Sequence, residues 1–289
     1  MTDTQKKADI AFPTYGQQSP KWWVPMFRNI REWSADGLVN HINMSSSALP
    51  ATSKNIAIGA LDPYSIGTSL TSHNRNRLVV QSDAEFIFFI DHDTVPPVDA
   101  LNKLIALDVP MVAGLYFHKG DKHEPIAYME ARDGLYAPVY SYYPGEIMEV
   151  DAVGMGCTLI RRDVFKAIRD QHEWFMLSDG STILVHKDDI EDRRFPGKFR
   201  TEKKRTYGNS IDGCYMVEKV KRVSAEDEER FDYPYFTMTH GRTEDMPFCE
   251  MVRRVGFPIL LDTSIECEHI GESSTDVQDF INAKYGARG

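Results

Sequence analysis

Two aspartates, Asp91 and Asp93, follow a run of apolar and aromatic side chains at 86–90. Such a run is typical of a strand that is buried on both faces. In open α/β sheets, ligands bind at the C-terminal ends of the strands. Two carboxylates at close range repel each other unless a cation lies between them, and carboxylate oxygens are ligands for Mg²⁺. The pattern predicts a divalent-metal site that holds a phosphate ester, although a polar strand end that caps the next helix would also explain both residues.

A second set of candidate residues is the segment Thr243-Glu244-Asp245, which precedes apolar residues at helical spacing. Thr243 is a plausible N-cap, and acidic residues are favoured in the first turn of a helix. The functional interpretation makes Asp245 a general base that points into a cleft. The two interpretations are compatible, because Glu244 can cap the helix or orient a substrate while Asp245 accepts a proton. Gly256 would end this helix.

A histidine and a pair of glycines are further candidates. His269 follows a predicted strand at 257–262 and would complete a metal site begun by two carboxylates, although a lone histidine is more often structural. Gly154 and Gly156 lie inside a predicted strand at 150–160. Glycine within a strand allows a backbone to approach a ligand closely, or marks a bulge.

The elements that would position these residues alternate between strand and helix in the first 120 residues. This alternation predicts a parallel sheet built from βαβ units. Beyond it, tyrosines that alternate with apolar residues at 126–150 indicate antiparallel strands, and a helix is predicted at 162–169. The first part comprises strands at 8–12, 38–44, 85–90 and 109–116, and helices at 20–30, 66–82 and 98–105.

The composition is that of a folded protein: 42% of the 289 residues are hydrophobic and 26% are charged. The net charge of -10 argues against a surface for duplex nucleic acid, which needs a broad cationic face. No segment approaches the ~20 apolar residues that span a bilayer, and residues 1–7 lack the apolar core of a signal peptide. We therefore expect a cytoplasmic protein without membrane insertion or a nucleic-acid partner. Its widely spaced cysteines, expected to be reduced, are Cys157, Cys214, Cys249 and Cys267.

The order of these segments resembles the GT-A glycosyltransferases, in particular glycosyltransferase family 2 and its relatives. The resemblance runs from about residue 8 to 272, with 170–232 largely unmatched. The similar segments are Ile10-Ala11-Phe12-Pro13-Thr14-Tyr15, Arg75-Asn76-Arg77-Leu78-Val79, Phe89-Ile90-Asp91-His92-Asp93 with Pro96-Pro97 after it, the glycine-containing strand at 153–162, Thr243-Glu244-Asp245 and Glu268-His269-Ile270-Gly271.

The resemblance implies a GT-A fold, a Rossmann-like α/β domain with a mixed, mainly parallel sheet flanked by helices. A single domain would cover residues 1–289. Its parts would be a nucleotide-sugar-binding half at 8–120, an acceptor and catalytic half at 121–272 with a charged insertion at about 170–232, and a C-terminal tail at 273–289.

The implied activity is the metal-dependent transfer of a sugar from a nucleotide-diphospho-sugar, a UDP- or GDP-sugar, to an acceptor hydroxyl. Asp245 would take the proton from the acceptor if the reaction inverts the anomeric centre, and Glu244 would orient the acceptor. Asp93 would bind Mn²⁺ or Mg²⁺ directly, with Asp91 at the ribose or the metal's water shell and His269 as the third ligand. Further donor contacts would come from Pro13, Thr14, Tyr15, Arg75, Gly154 and Gly156.

Several features depart from the family pattern or remain open. The loop at 43–47 lacks the acidic residue that often contacts uridine, so the donor base is open. The Gln-x-x-Arg-Trp motif of processive synthases is absent, and a processive polysaccharide synthase is therefore not expected. The acceptor, inversion or retention, and self-association into a homo-oligomer are also open. Trp174 and Tyr235 could stack on sugars, whereas we expect Phe236 in the core.

Two other functions are compatible with parts of the sequence. One is a non-catalytic protein on the same fold that binds a nucleotide-sugar or carbohydrate. The other is a phosphatase of the haloacid dehalogenase type, whose nucleophile strand resembles Ile90-Asp91-His92-Asp93-Thr94. That class also needs a later apolar strand ending in an acidic metal motif, and Asp188-Asp189 lies in a charged segment without such a strand.

Overall fold

The structure is a computed structural model. It describes residues 5–14, 19–46, 66–67, 70–119, 123–132, 135–176, 182–187, 198–199, 215–216, 221–224, 233–239 and 242–270. Five helices are described: α1 (Pro20–Ala35), α2 (Leu70–Gln81), α3 (Ala100–Leu107), α4 (Arg162–Arg169) and α5 (Asp245–Arg254).

The structure describes nineteen strands, some separated by helices and others by loops alone. The described strands are β1 (Ala8–Thr14), β2 (Val39–Ser46), β3 (Ile66–Gly67), β4 (Phe86–Ile90), β5 (Thr94–Val95), β6 (Met111–Leu115), β7 (Ala127–Arg132), β8 (Leu135–Pro138), β9 (Ile147–Val150), β10 (Ala152–Val153), β11 (Cys157–Arg161), β12 (His172–Met176), β13 (Thr182–His186), β14 (Lys198–Phe199), β15 (Tyr215–Met216), β16 (Lys221–Arg222), β17 (Met238–Thr239), β18 (Ile259–Glu266) and β19 (Glu268–His269).

The main sheet has seven described strands in the order β2-β1-β4-β11-β6-β18-β9. Strands β2, β1, β4, β6 and β18 run in one direction, whereas β11 and β9 are antiparallel to their neighbours. The predicted mixed, mainly parallel α/β sheet is therefore confirmed. The C-terminal ends of the co-directional strands lie at one edge of the sheet, which is where the candidate residues of the sequence converge.

The sheet is buried because helices cover both of its faces. In β4, all five side chains are buried and alternate between two hydrophobic clusters. Phe86, Phe88 and Ile90 face the cluster that includes Trp22 and Trp33 of α1 together with residues of α3. The other two β4 side chains, Ile87 and Phe89, face the cluster that contains residues of α2, α4 and α5. This alternation explains why the β4 sequence is apolar throughout.

The predicted strand at 150–160 is wrong as a single element. The chain instead ends β9 at Val150, forms the short β10, and begins β11 only at Cys157. The residues between β10 and β11, Gly154-Met155-Gly156, form a loop packed against other groups of the sheet edge. Apolar character alone could not reveal this interruption, since all three residues are buried.

Helix ends agree with the sequence to different degrees. Helix α4 has the predicted bounds, whereas α1 continues beyond the predicted residue 30 to Ala35. The prediction of Thr243 as N-cap is wrong, because α5 begins at Asp245 with Glu244 at the cap position and no side-chain cap hydrogen bond. Gly256 follows the helix with a φ of 85°, a conformation that favours glycine, as expected for its end.

The prediction that Trp174 and Tyr235 stack on sugars is also wrong. Their side chains are 2% and 6% exposed and lie in the same hydrophobic cluster as Phe236, whose predicted core position is correct. Much of the predicted insertion at about 170–232 lies outside the described residues. Its described part includes the antiparallel sheet β13-β12-β16. No helix among the residues that the structure describes is long and apolar enough to cross a membrane.

Candidate active site

Helix α1 fixes the loop that carries Asp91 and Asp93. Trp22 Nε1 lies 3.0 Å from both the Asp91 and the Thr94 carbonyl oxygens. Further along the same helix, Asn29 Nδ2 donates to Pro96 O at 2.7 Å, and Trp33 Nε1 donates to Val98 O at 2.7 Å. These three α1 side chains are buried. One face of α1 therefore donates hydrogen bonds to backbone carbonyls of the loop after β4. These bonds hold the two carboxylates in a defined position.

Arg75, on α2, lies at the centre of a group of carboxylates. Its side chain is 2% exposed, and its Nη2 donates to both oxygens of Asp91 at 2.8 and 3.0 Å. Its Nη1 donates to Glu244 Oε1 at 2.8 Å and also to Asp245 Oδ1. The guanidinium lies over the Phe236 ring, 5.8 Å from the centroid. We call Arg75, Asp91, Glu244 and Asp245 the Arg75 cluster. In this cluster, one guanidinium group contacts three carboxyl groups.

Helix α2 is held in the orientation that points Arg75 at these carboxylates. Asn76 Nδ2 donates to Phe236 O at 2.9 Å, and Asn76 Oδ1 accepts from Phe236 N at 2.9 Å. On the same helix, Leu78 and Val79 are buried in the core. The Arg-Asn pair of the sequence thus has two structural roles, since Arg75 organises the acids and Asn76 binds the segment whose ring covers the guanidinium.

Asp245 is an acid of this cluster whose pKa is strongly raised. Burial raises the pKa of Asp245 to about 7; the positive charge of Arg75 opposes the rise, and the negative charges of Glu244 and Asp91 add to it. A hydrogen bond from the Met155 backbone favours the ionised form. A carboxyl group with a pKa near neutrality is suited to general acid–base chemistry.

Asp93 and His269 face each other where β5 pairs with β19. His269 Nδ1 lies 2.6 Å from Phe117 O, and because a carbonyl oxygen only accepts, Nδ1 carries the hydrogen. In the neutral imidazole, the Nε2 lone pair then faces Asp93 Oδ1, which lies 3.6 Å away. Lys119 Nζ donates to the other oxygen, Asp93 Oδ2, at 2.6 Å.

The charge of Asp93 is fixed by these neighbours. Burial would raise the pKa of Asp93, but the hydrogen bond and charge of His269 in its protonated form, together with those of Lys119, outweigh burial and hold the pKa well below its ordinary value. Asp93 is therefore an ionised carboxylate at neutral pH. It offers one oxygen to the side of His269 and the other to a cation.

The Gly154-Met155-Gly156 loop packs against a buried tyrosine at the end of β6. Tyr116 Oη accepts a hydrogen bond from Gly156 N at 2.9 Å. A Cβ atom at Gly154 would lie 2.1 Å from Tyr116 Oη, and one at Gly156 would lie 2.8 Å from Thr94 Oγ1. Asp91 N donates to Gly156 O at 3.1 Å. Both glycines are therefore required by close packing between the loop, Tyr116 and the loop after β4.

The predicted site residues fall into three groups. The structure brings Asp91, Glu244 and Asp245 together around Arg75 and places Asp93 beside His269. Asp91 is turned to Arg75 rather than to the Asp93–His269 pair. Arg75 is buried, so its predicted contact with a donor remains a prediction. The predicted donor contacts of Pro13, at the end of β1, and of Gly154 and Gly156 also remain predictions. The Thr14 side chain and Tyr15 lie outside the described residues, so their predicted donor contacts remain predictions as well.

Another group of side chains that could bind a metal lies at the opposite edge of the sheet. Within the described residues, Asp9, His41 and Asp83 are the one group of three whose ligand atoms all lie within 4.8 Å of one another. Asp9 already accepts hydrogen bonds from Asn40 Nδ2 at 2.9 Å, His41 N at 3.0 Å and Ser82 Oγ at 2.6 Å. Asn40 Nδ2 also lies 2.9 Å from His41 Nδ1 and 3.5 Å from Asp83 Oδ1, between the ligand atoms.

Sequence reasoning missed two residues of the C-terminal edge, Tyr116 and Lys119. Tyr116 follows β6 directly, and its hydroxyl contacts the glycine loop of the site through Gly156 N. Burial raises the pKa of Tyr116, and the charges of Asp91 and Asp245 raise it further. Tyr116 directly follows a buried strand, as Asp91 does, and this position in the sequence could have identified it as a candidate. Lys119 lies in the loop beyond, where the sequence gives no sign of a pairing with Asp93.

No protein-family model matches the chain, and no curated protein does. Among solved structures, the crystal structure of A197 from STIV aligns with a TM-score of 0.41 and 12% identity, over 92% of this chain and 86% of that chain. The crystal structure of GalNAc-T7 with UDP, GalNAc and Mn²⁺ aligns with a TM-score of 0.43 and 9% identity, over 97% of this chain and 48% of that chain. This chain thus spans about half the length of the GalNAc-T7 chain. At such low TM-scores and identities, neither likeness decides the fold or chemistry of this chain.

Proposed function

We propose that this protein is a metal-dependent glycosyltransferase of the GT-A type that transfers a sugar from a UDP- or GDP-sugar to an acceptor hydroxyl. The observation that carries the proposal is the arrangement of Asp93 and His269 at the C-terminal edge of a mainly parallel sheet. At the same edge, Arg75 joins Asp91 to Asp245, an acid with a pKa of about 7, and the glycine loop at 154–156 packs against Tyr116. This is the edge at which open α/β sheets bind ligands.

The Asp93–His269 pair fits a divalent cation on chemical grounds. Since Nδ1 of His269 donates to the Phe117 carbonyl, the neutral imidazole presents its Nε2 lone pair to the carboxylate at 3.6 Å. Two acceptors that face each other are stabilised by a cation bound to both. The backbone hydrogen bond on the far nitrogen is the usual second-shell support of a histidine ligand. An imidazole nitrogen with a carboxylate suits Mn²⁺, and carboxylate oxygens also suit Mg²⁺.

We assign the metal contact to Asp93 and His269. A bound divalent ion would act as a Lewis acid that neutralises the diphosphate as the bond to the sugar breaks. Asp91 would lie at the donor side of this pair, with its orientation set by the bidentate contact to Arg75. The Gly154-Met155-Gly156 loop would allow close approach of the sugar, since a side chain at either glycine would collide with the site wall.

Asp245 is the group we assign to the acceptor. In an inverting transfer, the acceptor oxygen attacks the anomeric carbon, its proton passes to an Asp245 oxygen, and the bonding electrons leave with the diphosphate. A pKa of about 7 supports this role because the carboxylate is then basic enough to accept a proton and is still substantially ionised near neutral pH. Arg75 would hold Asp245 in position and offset its negative charge.

The geometry is less favourable to the phosphatase alternative. That reaction needs Asp91 as a nucleophile with a free carboxylate oxygen. Both Asp91 oxygens accept hydrogen bonds from the buried Arg75, and the backbone of the loop is held by Trp22 of α1. A non-catalytic binding protein on the same fold would not require the raised pKa of Asp245. That alternative is separated from the transferase by turnover.

The test is a screen of UDP-, GDP- and CMP-sugars for hydrolysis and binding, with Mn²⁺, with Mg²⁺ and with a chelator. We expect slow hydrolysis of at least one UDP- or GDP-sugar that requires the metal and is lost in Asp93→Ala. Asp99→Ala is the matched control, because Asp99 is an exposed aspartate whose ion pair with Lys103 lies on α3. Turnover of p-nitrophenyl phosphate without turnover of any sugar nucleotide would overturn the proposal. Metal-dependent binding without turnover would favour the binding protein.

A further inference from the structure

Lys119 neutralises the carboxylate to which we assign the metal. Its Nζ lies 2.6 Å from Asp93 Oδ2. The other oxygen, Oδ1, faces His269 Nε2 at 3.6 Å. The side chains of Lys119 and Asp93 are 36% and 25% exposed, so the ion pair is reached by water and is open to exchange. A carboxylate in this state is saturated on one side by an ammonium group.

The same short segment positions both partners of Asp93. Phe117 O anchors the Nδ1 of His269, and Lys119 follows two residues later. The segment itself is fixed by a bridge between Phe117 and Pro125 and by a hydrogen bond from His118 N to Glu124 O at 2.8 Å. The backbone thus places Lys119 two residues beyond the carbonyl that orients His269.

An ammonium group and a divalent ion compete for one carboxylate. Both seek the lone pairs of Asp93, and two cations that share one carboxylate repel each other strongly at contact distance. Lys119 has a flexible four-carbon stem and a compact charge, so it can exchange partners at low cost. A metal that binds both Asp93 oxygens therefore requires Lys119 to withdraw.

We propose that Lys119 is a resident counter-ion of Asp93, that it and the divalent metal bind this carboxylate in mutually exclusive ways, and that the released ammonium then binds the diphosphate of the donor. The inference rests on the proposed function, since it takes Asp93 as the metal ligand. It adds a positively charged donor-binding residue that the sequence did not mark. It also makes metal binding an exchange of cations rather than the filling of a bare acidic site.

The first test measures Mn²⁺ affinity in solution, from the loss of the free-ion paramagnetic resonance signal and by calorimetry. The variants are Lys119→Met and Lys119→Gln. Lys103→Met is the matched control, because it removes the same charge from an ion pair with Asp99 at 2.9 Å on α3. We expect about tenfold tighter Mn²⁺ binding in both Lys119 variants, equivalent to about 1.4 kcal/mol, and little change in the control.

The second measurement uses inorganic pyrophosphate at saturating Mn²⁺. If the released ammonium binds the diphosphate, both Lys119 variants bind pyrophosphate several-fold more weakly, although they bind the metal more tightly. A purely structural role would not produce these opposite changes. Unchanged or weaker Mn²⁺ affinity in the Lys119 variants, or unchanged pyrophosphate affinity, would overturn the inference.

The failure of the proposed function gives a different result. Asp93→Ala separates the two ideas, since it removes the carboxylate for which Lys119 and the metal compete. If Mn²⁺ binds Asp93→Ala as tightly as it binds the unsubstituted protein, the assignment of the metal to Asp93 is wrong. If Asp93→Ala loses Mn²⁺ while the Lys119 variants are unchanged, the metal site stands and the exchange of cations alone is refuted.

Discussion

The two edges of the main sheet each bring an aspartate next to a histidine, but the two pairs are built differently. At the N-terminal edge, three donors satisfy Asp9, and the amide nitrogen of Asn40 lies beside both Asp9 and His41. At the C-terminal edge, Asp93 has the ammonium group of Lys119 at one oxygen and the His269 ring at the other. The His269 ring is held by a backbone carbonyl on its far side.

Proximity of ligand-type side chains is therefore only one of the features on which we base the proposed metal site. The Asp9 group meets the distance requirement, yet a neutral amide already provides the hydrogen bonds that a metal would replace. The Asp93–His269 pair has a histidine lone pair that faces the carboxylate, and a carboxylate neutralised by an exchangeable lysine. The second arrangement is the one that gains from a bound cation.

Among the variants that distinguish the two edges of the sheet, Arg75→Met is expected to have the largest effect. This change leaves three carboxylates at the C-terminal edge without their buried counter-charge. Removal of one partner from a buried ion pair costs about 3–5 kcal/mol in the free energy of unfolding. Urea denaturation at neutral pH measures this loss. The matched control is Arg253→Met, since Arg253 pairs with Glu130 and Asp151 through a half-exposed side chain. Equal losses in the two variants would contradict the central role of Arg75.

Asp245→Asn is expected to have the next largest effect, on turnover. The substitution keeps the shape of the side chain and removes its ability to accept a proton, which lowers the rate by about 10²–10⁴-fold. In the unsubstituted protein, activity should rise with pH and level off above about 7, because Asp245 must be ionised. Glu244→Gln removes one of the negative charges that raise this pKa, so the midpoint should move to lower pH. A midpoint that stays in place or moves upward would refute the assignment.

The same pKa predicts a dependence of stability on pH. The pKa of folded Asp245 is raised from the ordinary 3.8 to about 7, so the folded protein binds this proton more tightly than the unfolded chain does. The stabilisation from the protonated form is complete below pH 3.8 and is lost as the pH rises to about 7. We expect the difference in unfolding free energy between Asp245→Asn and the unsubstituted protein to change across this window, as measured by urea denaturation. A constant difference would contradict the raised pKa.

Gly154→Ala should have an intermediate effect. Its Cβ would lie 2.1 Å from Tyr116 Oη, and overpacking of this kind costs about 1–3 kcal/mol. Tyr116→Phe removes the hydroxyl, so the cost of the alanine should be smaller in that background, although Ile126 Cγ2 at 2.7 Å and the ring carbon at 3.0 Å still limit the space. A double-mutant cycle measured by thermal unfolding gives the coupling. Additive losses would mean that the two side chains do not meet.

His41→Ala should have the smallest effect and serves as the control for the N-terminal edge. The His41 side chain is 61% exposed, and the Asp9 hydrogen bond from position 41 comes from the backbone. We expect a stability change within about 0.5 kcal/mol, as is usual for surface positions. Calorimetry should find the same Mn²⁺ affinity as in the unsubstituted protein. A loss of Mn²⁺ binding in this variant would mean that the Asp9 group, rather than Asp93, holds the metal.

Local patterns of the sequence predicted much of the fold. The apolar run at 86–90 identified a strand buried on both faces, and helical spacing gave α4 its observed bounds. Asp91 and Asp93 could be assigned to the C-terminal edge because they follow a buried strand, a signal that depends only on neighbouring residues. Asp245 and His269 were placed in the same site by the resemblance to a known family.

Long-range partners could not be predicted in the same way. Arg75 meets Glu244 and Asp245 across a sequence separation of 169 and 170 residues, and no local pattern reports that contact. The loop at Gly154 is set by Tyr116, which follows another strand, β6. Lys119 reaches Asp93 from a loop whose sequence resembles an ordinary solvated turn. The physical cause is common to all three, since tertiary packing decides which charged and polar groups meet.

The central claim is that Asp93 binds the divalent ion that holds a nucleoside diphosphate. Its most direct test is calorimetric binding of UDP and GDP with Mn²⁺ and with a chelator, in the unsubstituted protein, in Asp93→Asn and in the control Asp99→Asn. We predict that at least one nucleotide binds in an Mn²⁺-dependent manner to the unsubstituted protein and to Asp99→Asn. This dependence should be lost in Asp93→Asn. Equal Mn²⁺-dependent binding by Asp93→Asn, or binding that never depends on the metal, would contradict the claim.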